Sequence, residues 1–347
     1  MAKSGGIAIE NGAAELHGVN IDSYNLEIRK GDDWLGDQAS RTAFWKICDD
    51  VRKQARLIGF DPFDKPTTDI SKKEFDRLFA SKDLRKVTFA NTVIDLFARQ
   101  LVEVIQRFVA VKKWEGTELI VFGGGLMSSQ AGEMAIQRAA FMLAADDLKI
   151  ELRRTMTDPD IAGLIGGAQL FPAWMLKGFD GMLAVDIGGT NIRTAILKIK
   201  NGSKLPEVKL YKKIAWKQDK SSRSREAAIK KMVKALSQLI KLAKESDLKL
   251  APLVGIACPG IIEKDGSIRR GDQNLPGNWQ SERFNLPEAI TDKIPAIDDH
   301  DLQVVVHNDG VVQGLSEKPT IGDVKHWAVL TIGTGLGNAK FSIAKDD

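Results

Sequence analysis

Asp309 ends the apolar run VVVHND (304–309), and its type and place suit proton transfer. A carboxylate where a buried strand stops can accept the proton of a hydroxyl nucleophile. Phosphoryl transfer needs such a group, chiefly to orient and activate the attacking oxygen. Asn308 and Asp309 also suit a plainer role, because Asn and Asp are strong helix N-caps. Three glycine-rich turns each follow an apolar strand: DIGGTN (186–191), IGTGLGN (332–338) and FGGGLMSS (122–129). Glycine lets backbone N–H groups approach an anion with no Cβ in the way. One such turn is ordinary punctuation in an α/β protein; three suggest phosphate. None completes a Walker or dinucleotide fingerprint, so separate turns clamping one nucleotide fit better than a single-loop site. GDQNLPGNW (271–279) adds an amide, a Pro-Gly turn and a tryptophan, which suit a polyol or a plain surface turn.

The elements that must hold these residues alternate along the chain. Short β-like runs occupy residues 5–28, and helical patterns cover 40–57 and 91–110. Between them, GFDPFDKPTTDISKKEFDRLF reads as a surface insertion with a capped helix near Ser71. A strand and glycine turn (118–129) lead into a helix to about Leu143. DPDIAGLIGGAQL reads as a helix with Asp158 as N-cap and Pro159 at its first position. From residue 183 the order is strand and hairpin, a helix over 225–245, the strand PLVGIACPG, a Gly/Asn/Pro-rich loop, the strand LQVVVHND, a short helix and a last strand, WAVLTIGTGLGNAKFSIA. This alternation argues an α/β fold.

Composition narrows the partners. A chain of 347 residues can bury two ordinary cores. A formal charge of only +4 among many mixed-sign side chains gives no case for nucleic acid. The lysines of 230–244 lie on a helix whose other face is apolar, a solvated amphipathic helix. No charge-free run approaches a membrane span. The first residues lack the apolar core of a signal peptide. Cys48 and Cys258 form neither a disulfide framework nor a zinc pattern. The expected compartment is the cytoplasm.

Taken together and in order, the segments from 183 onward resemble the ROK sugar kinases and, more distantly, bacterial glucokinases of the hexokinase–actin–heat-shock ATPase fold. LAVDIGGTNIRTAIL is similar to that family's first phosphate motif, IACPG with NLPGNW to its sugar-side loops, HNDGVVQGLSE to its catalytic Asn-Asp segment, and GTGLGNA to its second phosphate motif. The family's remaining half is at the front here: ELIVFGGGLMSSQAGE resembles its adenosine-side strand and turn, and DIAGLIGGAQL its closing helix. The resemblance therefore implies a two-lobed, ribonuclease-H-like α/β fold in circularly permuted order, tolerable when the break falls at an exposed turn. It places a larger lobe at 1–177, a smaller one at 178–325, and a returning strand at 326–347. Permutation predicts that GIAIENG pairs with the strand near 338–344.

The resemblance assigns roles residue by residue. Asp309 is the general base, with Asn308, Asn274 and Gly277 on the sugar. Gly188, Gly189, Thr190 and Asn191 face phosphate, as do Gly333, Thr334 and Gly335; Gly124 and Gly125 approach adenosine. Asp186 holds Mg²⁺, through water. The family's E-x-G-H sugar motif falls near Glu15-Leu16-His17-Gly18, so Glu15 and His17 are candidate sugar contacts in an altered motif. The cysteine-rich zinc motif is absent. The implied activity is ATP- and Mg²⁺-dependent phosphorylation of a hexose hydroxyl, glucose first among candidates, by sugar binding, lobe closure and in-line attack. Two alternatives stay open: a sugar- or nucleotide-binding sensor without chemistry, and a sugar-independent actin-like ATPase. Subunit number is open too, a homodimer included.

Overall fold

A computed structural model describes residues 9–200, 207–218, 224–271, 273, 275–281 and 283–344. Its main elements follow in chain order. A hairpin of β1 (Glu15–Leu16) and β2 (Val19–Tyr24) precedes the helices α1 (Arg41–Leu57) and α2 (Leu84–Val109). Strand β3 (Leu119–Gly123), α3 (Gln130–Ala145), β4 (Glu151–Arg154) and the short α4 (Ala162–Gly167) come next. Then come β5 (Gly181–Ile187), β6 (Asn191–Lys200), β7 (Glu207–Lys217) and α5 (Arg225–Glu245). The chain continues with β8 (Leu250–Cys258), β9 (Gln303–Asn308), α6 (Asp309–Leu315), β10 (His326–Ile332) and β11 (Leu336–Ile343).

Two compact units divide the chain: 1–25 with 161–322 and 341–347, and 26–160 with 323–340. In the first unit β5 is buried at every position, as a central strand must be. It pairs antiparallel with β6 and parallel with β8, and β8 pairs parallel with β9. The five-stranded order is β9-β8-β5-β6-β7. Numbered from β5, that is 3-2-1-4-5 read from the far edge. Helix α5, capped by Ser224, buries Met232, Leu236, Leu239 and Ala243 against this sheet with Trp279 and Phe284. Each such large side chain is worth ~1.5–3 kcal/mol on full burial.

A six-stranded sheet has the order β1-β2-β11-β10-β3-β4. Counting from β10 and resuming at the start of the chain, β10, β11, β2, β3 and β4 repeat the same 3-2-1-4-5 pattern. In the second unit α2 begins at an Asp83 cap and presents Phe89, Val93, Phe97, Leu101, Val104 and Phe108 as one buried stripe. These pack with Phe44, Phe75 and Trp114 into that unit's core. Arg52, only 1% exposed, fixes the segment after α1. It donates to both carboxylate oxygens of Asp61 at 3.0 and 2.9 Å, to Thr67, and to the carbonyls of Phe63 and Lys65. The predicted surface insertion is thus tied down, and its capped helix is present with a reciprocal Ser71–Glu74 capping box.

Four local expectations change. The strand beside β11 is β2, not GIAIENG; residues 1–8 lie outside the described residues, and Asn11 and Gly12 bond to Val306 of β9 instead. The helix placed at Asp158 starts at Ala162, because Asp158 accepts from the Asp160 N–H in a local turn. The last strand is two, β10 and β11, folded at Gly333–Gly335. The helix expected over 91–110 starts a further two turns earlier, at the Asp83 cap. Among the described residues no helix is long and apolar enough to cross a membrane.

Candidate active site

In the first unit, Asp186 and Asp309 sit at the same end of one sheet. Asp186 is the sixth residue of β5, level with Ala257 of β8, and Ala257 is level with His307 of β9. The acids therefore flank β8 at the carboxyl ends of parallel strands, where open α/β sheets place ligands. Two strand spacings separate their chains by ~10 Å. Asp309 is part-buried, and its pKa is pushed up to about 6, first by desolvation and second by the charge of Asp186. A carboxylate so tuned is ionised at neutral pH yet a stronger base than an ordinary aspartate. The Gly310 N–H donates to its Oδ1 at 2.9 Å.

Asp186 is 7% exposed and takes a hydrogen bond from Arg193 Nη1 at 3.0 Å across the β5–β6 ladder, where the two residues are register partners. On its other side comes α4: a Cβ on Gly163 would lie 2.7 Å from Asp186 Oδ1. Gly166 is tighter, since its Cβ would lie 1.7 Å from the Val312 carbonyl of α6. The small residues of α4 thus let it lie directly on α6 and on β5.

The turn after β5 holds Gly188, Gly189, Thr190 and Asn191. Gly188 N–H donates to Asn191 O at 2.9 Å, while Gln218 donates through Nε2 to Gly188 O at 2.5 Å and through its N–H to Thr190 O at 2.8 Å. Among the described residues the Gln218 Oε1 has no partner. Asn308 is fully buried: its Oδ1 accepts from Gly310 and Val311 at 2.9 and 3.2 Å, and its Nδ2 donates to Gly260 O at 2.9 Å. It is the N-cap of α6, and both ends of its amide have protein partners. Glu15 and His17 are exposed on the β1–β2 hairpin, where the His17 carbonyl accepts from Lys318 at 2.8 Å. Asn274 lies outside the described residues, and Gly277 sits at φ +88° in the turn before Trp279.

The second unit holds the other turns. Gly333 N–H donates to Gly335 O at 2.9 Å, Arg41 N–H to Gly333 O at 2.9 Å, and the Thr42 hydroxyl to Thr334 O at 3.1 Å. The turn therefore lies at the N-terminus of the 17-residue α1, whose partial positive charge favours an anion. Gly124, at φ +93°, lies beside it, where a Cβ would come within 2.3 Å of Ile332 O. Lys72 donates to the Gly125 carbonyl. The N-terminus of α3 is already closed, because Asp76 accepts from the Gln130 and Ala131 N–H groups at 3.1 and 3.0 Å.

No group of three His, Cys, Asp or Glu side chains that could hold a metal occurs among the described residues. Mg²⁺ usually keeps several waters and takes one or two carboxylates plus substrate phosphates; Asp186, at the end of β5, would supply one such carboxylate.

The model of the ROK family matches residues 182–342. The match covers just under half of the chain. Solved structures with likeness to it include a candidate N-acetylmannosamine kinase from Listeria monocytogenes (24% identity, 47% of each chain, TM-score 0.34). A ROK family glucokinase from Streptomyces griseus, in complex with glucose and AMPPNP, matches at 22% identity over 48% of this chain and 45% of its own (TM-score 0.35). A Ppx/GppA phosphatase from Aquifex aeolicus matches at 14% identity over 37% and 35% (TM-score 0.22). The chain thus spans about half the length of the first structures it matches. No curated protein is detectably similar. The matched segment carries both acids, the turn after β5 and the turn after β10. The actin-like α/β fold is legible in the two mixed sheets themselves.

Arg193, Gln218 and His307 were not predicted as site residues. The first two act through cross-strand register, which one sequence does not reveal. His307 neighbours the flagged Asn308, but in sequence it reads as one more strand residue.

Proposed function

We propose that this chain is an ATP- and Mg²⁺-dependent sugar kinase that phosphorylates a hexose hydroxyl, with glucose the first substrate to try. The observation that carries the reading is Asp309, a carboxyl raised to about 6 beside Asp186 at the end of a parallel sheet. Asp309 takes the proton as the hydroxyl attacks the γ-phosphate; Asn308 holds the turn that aims it. Asp186 would hold the Mg²⁺, with Arg193 fixing the orientation of the carboxylate. When bound, the metal supplies charge neutralisation on the phosphates. The N–H groups of the Gly188–Asn191 and Gly333–Gly335 turns offer fixed dipoles to developing phosphate charge. The recurring 3-2-1-4-5 order, which closes only if β10 and β11 are counted before β2, supports a circularly permuted member of the fold.

The test is ADP release from Mg-ATP across glucose, mannose, fructose, N-acetylglucosamine and N-acetylmannosamine, with Asp309→Asn alongside. Sugar-dependent turnover lost in the variant supports the kinase; ATP hydrolysis indifferent to sugar removes it. The second reading, a sensor without chemistry, is favoured by Asn308, whose amide is committed inside the protein. Saturable sugar binding with no turnover would select it.

A further inference from the structure

Behind Asp309, a strap from residues 11–13 lies along β9 without being part of the sheet ladder. Gly12 N–H donates to Val306 O at 3.0 Å. Val306 N–H donates in return to the Asn11 side-chain oxygen at 2.8 Å, so a side chain completes what a strand's backbone would do. Asn11 Nδ2 also donates to Lys264 O at 3.2 Å. Gly12, at φ +56°, passes so close to the next segment that a Cβ would lie 2.2 Å from Ile262 O.

The third contact of the strap is His307. The ring is fully buried, with Tyr24 edge-on at 5.5 Å between centroids. Its Nε2 lies 3.0 Å from the Ala13 carbonyl, and its Nδ1 lies 2.7 Å from the Asn308 N–H. A carbonyl only accepts and an amide N–H only donates. The two neighbours therefore fix a neutral ring with its hydrogen on Nε2. Burial agrees, holding the pKa down to about 4. The Asn308 N–H that meets this ring belongs to the residue whose side chain caps α6 and ties Gly260. Asp309 is next in the chain.

We propose that His307 is a positioning residue for Asp309: its ring bolts the turn at Asn308 to the Asn11–Ala13 strap, so the seating of the strap sets the aim of the carboxylate. The inference rests on the reading of Asp309 as the base. A core histidine that merely fills space would matter for stability and leave the aim of Asp309 alone.

Three substitutions separate these cases. His307→Gln keeps a donor near the Nε2 position and loses the Nδ1 acceptor; His307→Asn keeps an acceptor near Nδ1 and loses the reach to Ala13. Asn11→Ala loosens the strap from a part-buried position and leaves the ring in place. Each is compared with wild type for sugar-dependent ADP release, thermal unfolding and the titration of the Asp309 carboxyl by carbon NMR. Positioning predicts kcat down ~10- to 100-fold in His307→Gln, as for a misplaced catalytic group. The sugar KM should stay within ~3-fold, because ground-state binding is not the target. His307→Asn should keep more activity than His307→Gln, Asn11→Ala should fall in the same direction, and the Asp309 titration should move in all three. Folded variants with wild-type kcat and an unmoved Asp309 titration would overturn the proposal, as would activity that merely follows the folded fraction. If Asp309→Asn retains full turnover, the base reading falls by itself, and the Asp309 titration alone then decides the role of His307.

Discussion

Arg193 and Asp186 face each other across the β5–β6 ladder, 3.0 Å apart and both mostly shielded from water. The charge of Asp186 raises the pKa of Asp309, and a cation beside Asp186 offsets part of that charge. Replacing Arg193 with Met removes this cation from beside Asp186. The acidic limb of kcat against pH should then move to higher pH, because a less balanced neighbour makes Asp309 harder to ionise. Stability should fall by ~2 kcal/mol, less than for a fully buried pair. A pH–rate profile and urea melts check both.

Asp309→Asn should lose turnover by ~10²-fold or more while gaining stability. The folded-state pKa lies above the ordinary aspartate value, so the folded protein binds the proton more tightly between the two. Stability from this group is fully present below the ordinary pKa and is lost as pH rises through about 6. The variant should therefore melt with wild type near pH 4 and be more stable above pH 6–7, by up to ~3 kcal/mol. Thermal unfolding at the two pH values decides it; equal gains at both would mean the ionised carboxylate is not strained.

Gly166→Ala should be among the most damaging single-methyl changes, because the new Cβ would lie 1.7 Å from Val312 O. Helix α4 would have to lift off α6, at a cost of ~3 kcal/mol, with loss of turnover as α6 shifts. Unfolding midpoints with kcat check it.

Arg52→Ala removes five hydrogen bonds, two of them to Asp61, from a residue 1% exposed. It should cost ~2–4 kcal/mol, since a large buried side chain is lost and the carbonyls of Phe63 and Lys65 lose a donor, while Asp61 keeps its pair with Arg56. Trypsin should then cut first near Lys65, in the segment released. Unchanged proteolysis would show that the segment is held by its apolar contacts instead.

Much of this protein is written locally. The helices over 41–57 and 225–245, the Ser71 capping box and the mostly apolar β5 and β10 follow from periodicity and cap residues, which act within a few positions. The Asp309 and Asp186 candidates and the glycine turns were equally legible, because each follows an apolar strand with a recognisable stop. The tertiary structure alone decided which chains lie side by side. Asn11–Ala13 went to β9 and Val19–Tyr24 to β11, a choice between two short β-like runs that periodicity cannot rank. It likewise fixed Asn308 as an internal cap, set Arg193 against Asp186 and brought the ring of His307 to Ala13. Register, close glycine contacts and buried hydrogen bonds join residues up to hundreds of positions apart, so their energies appear only once the sheets are assembled.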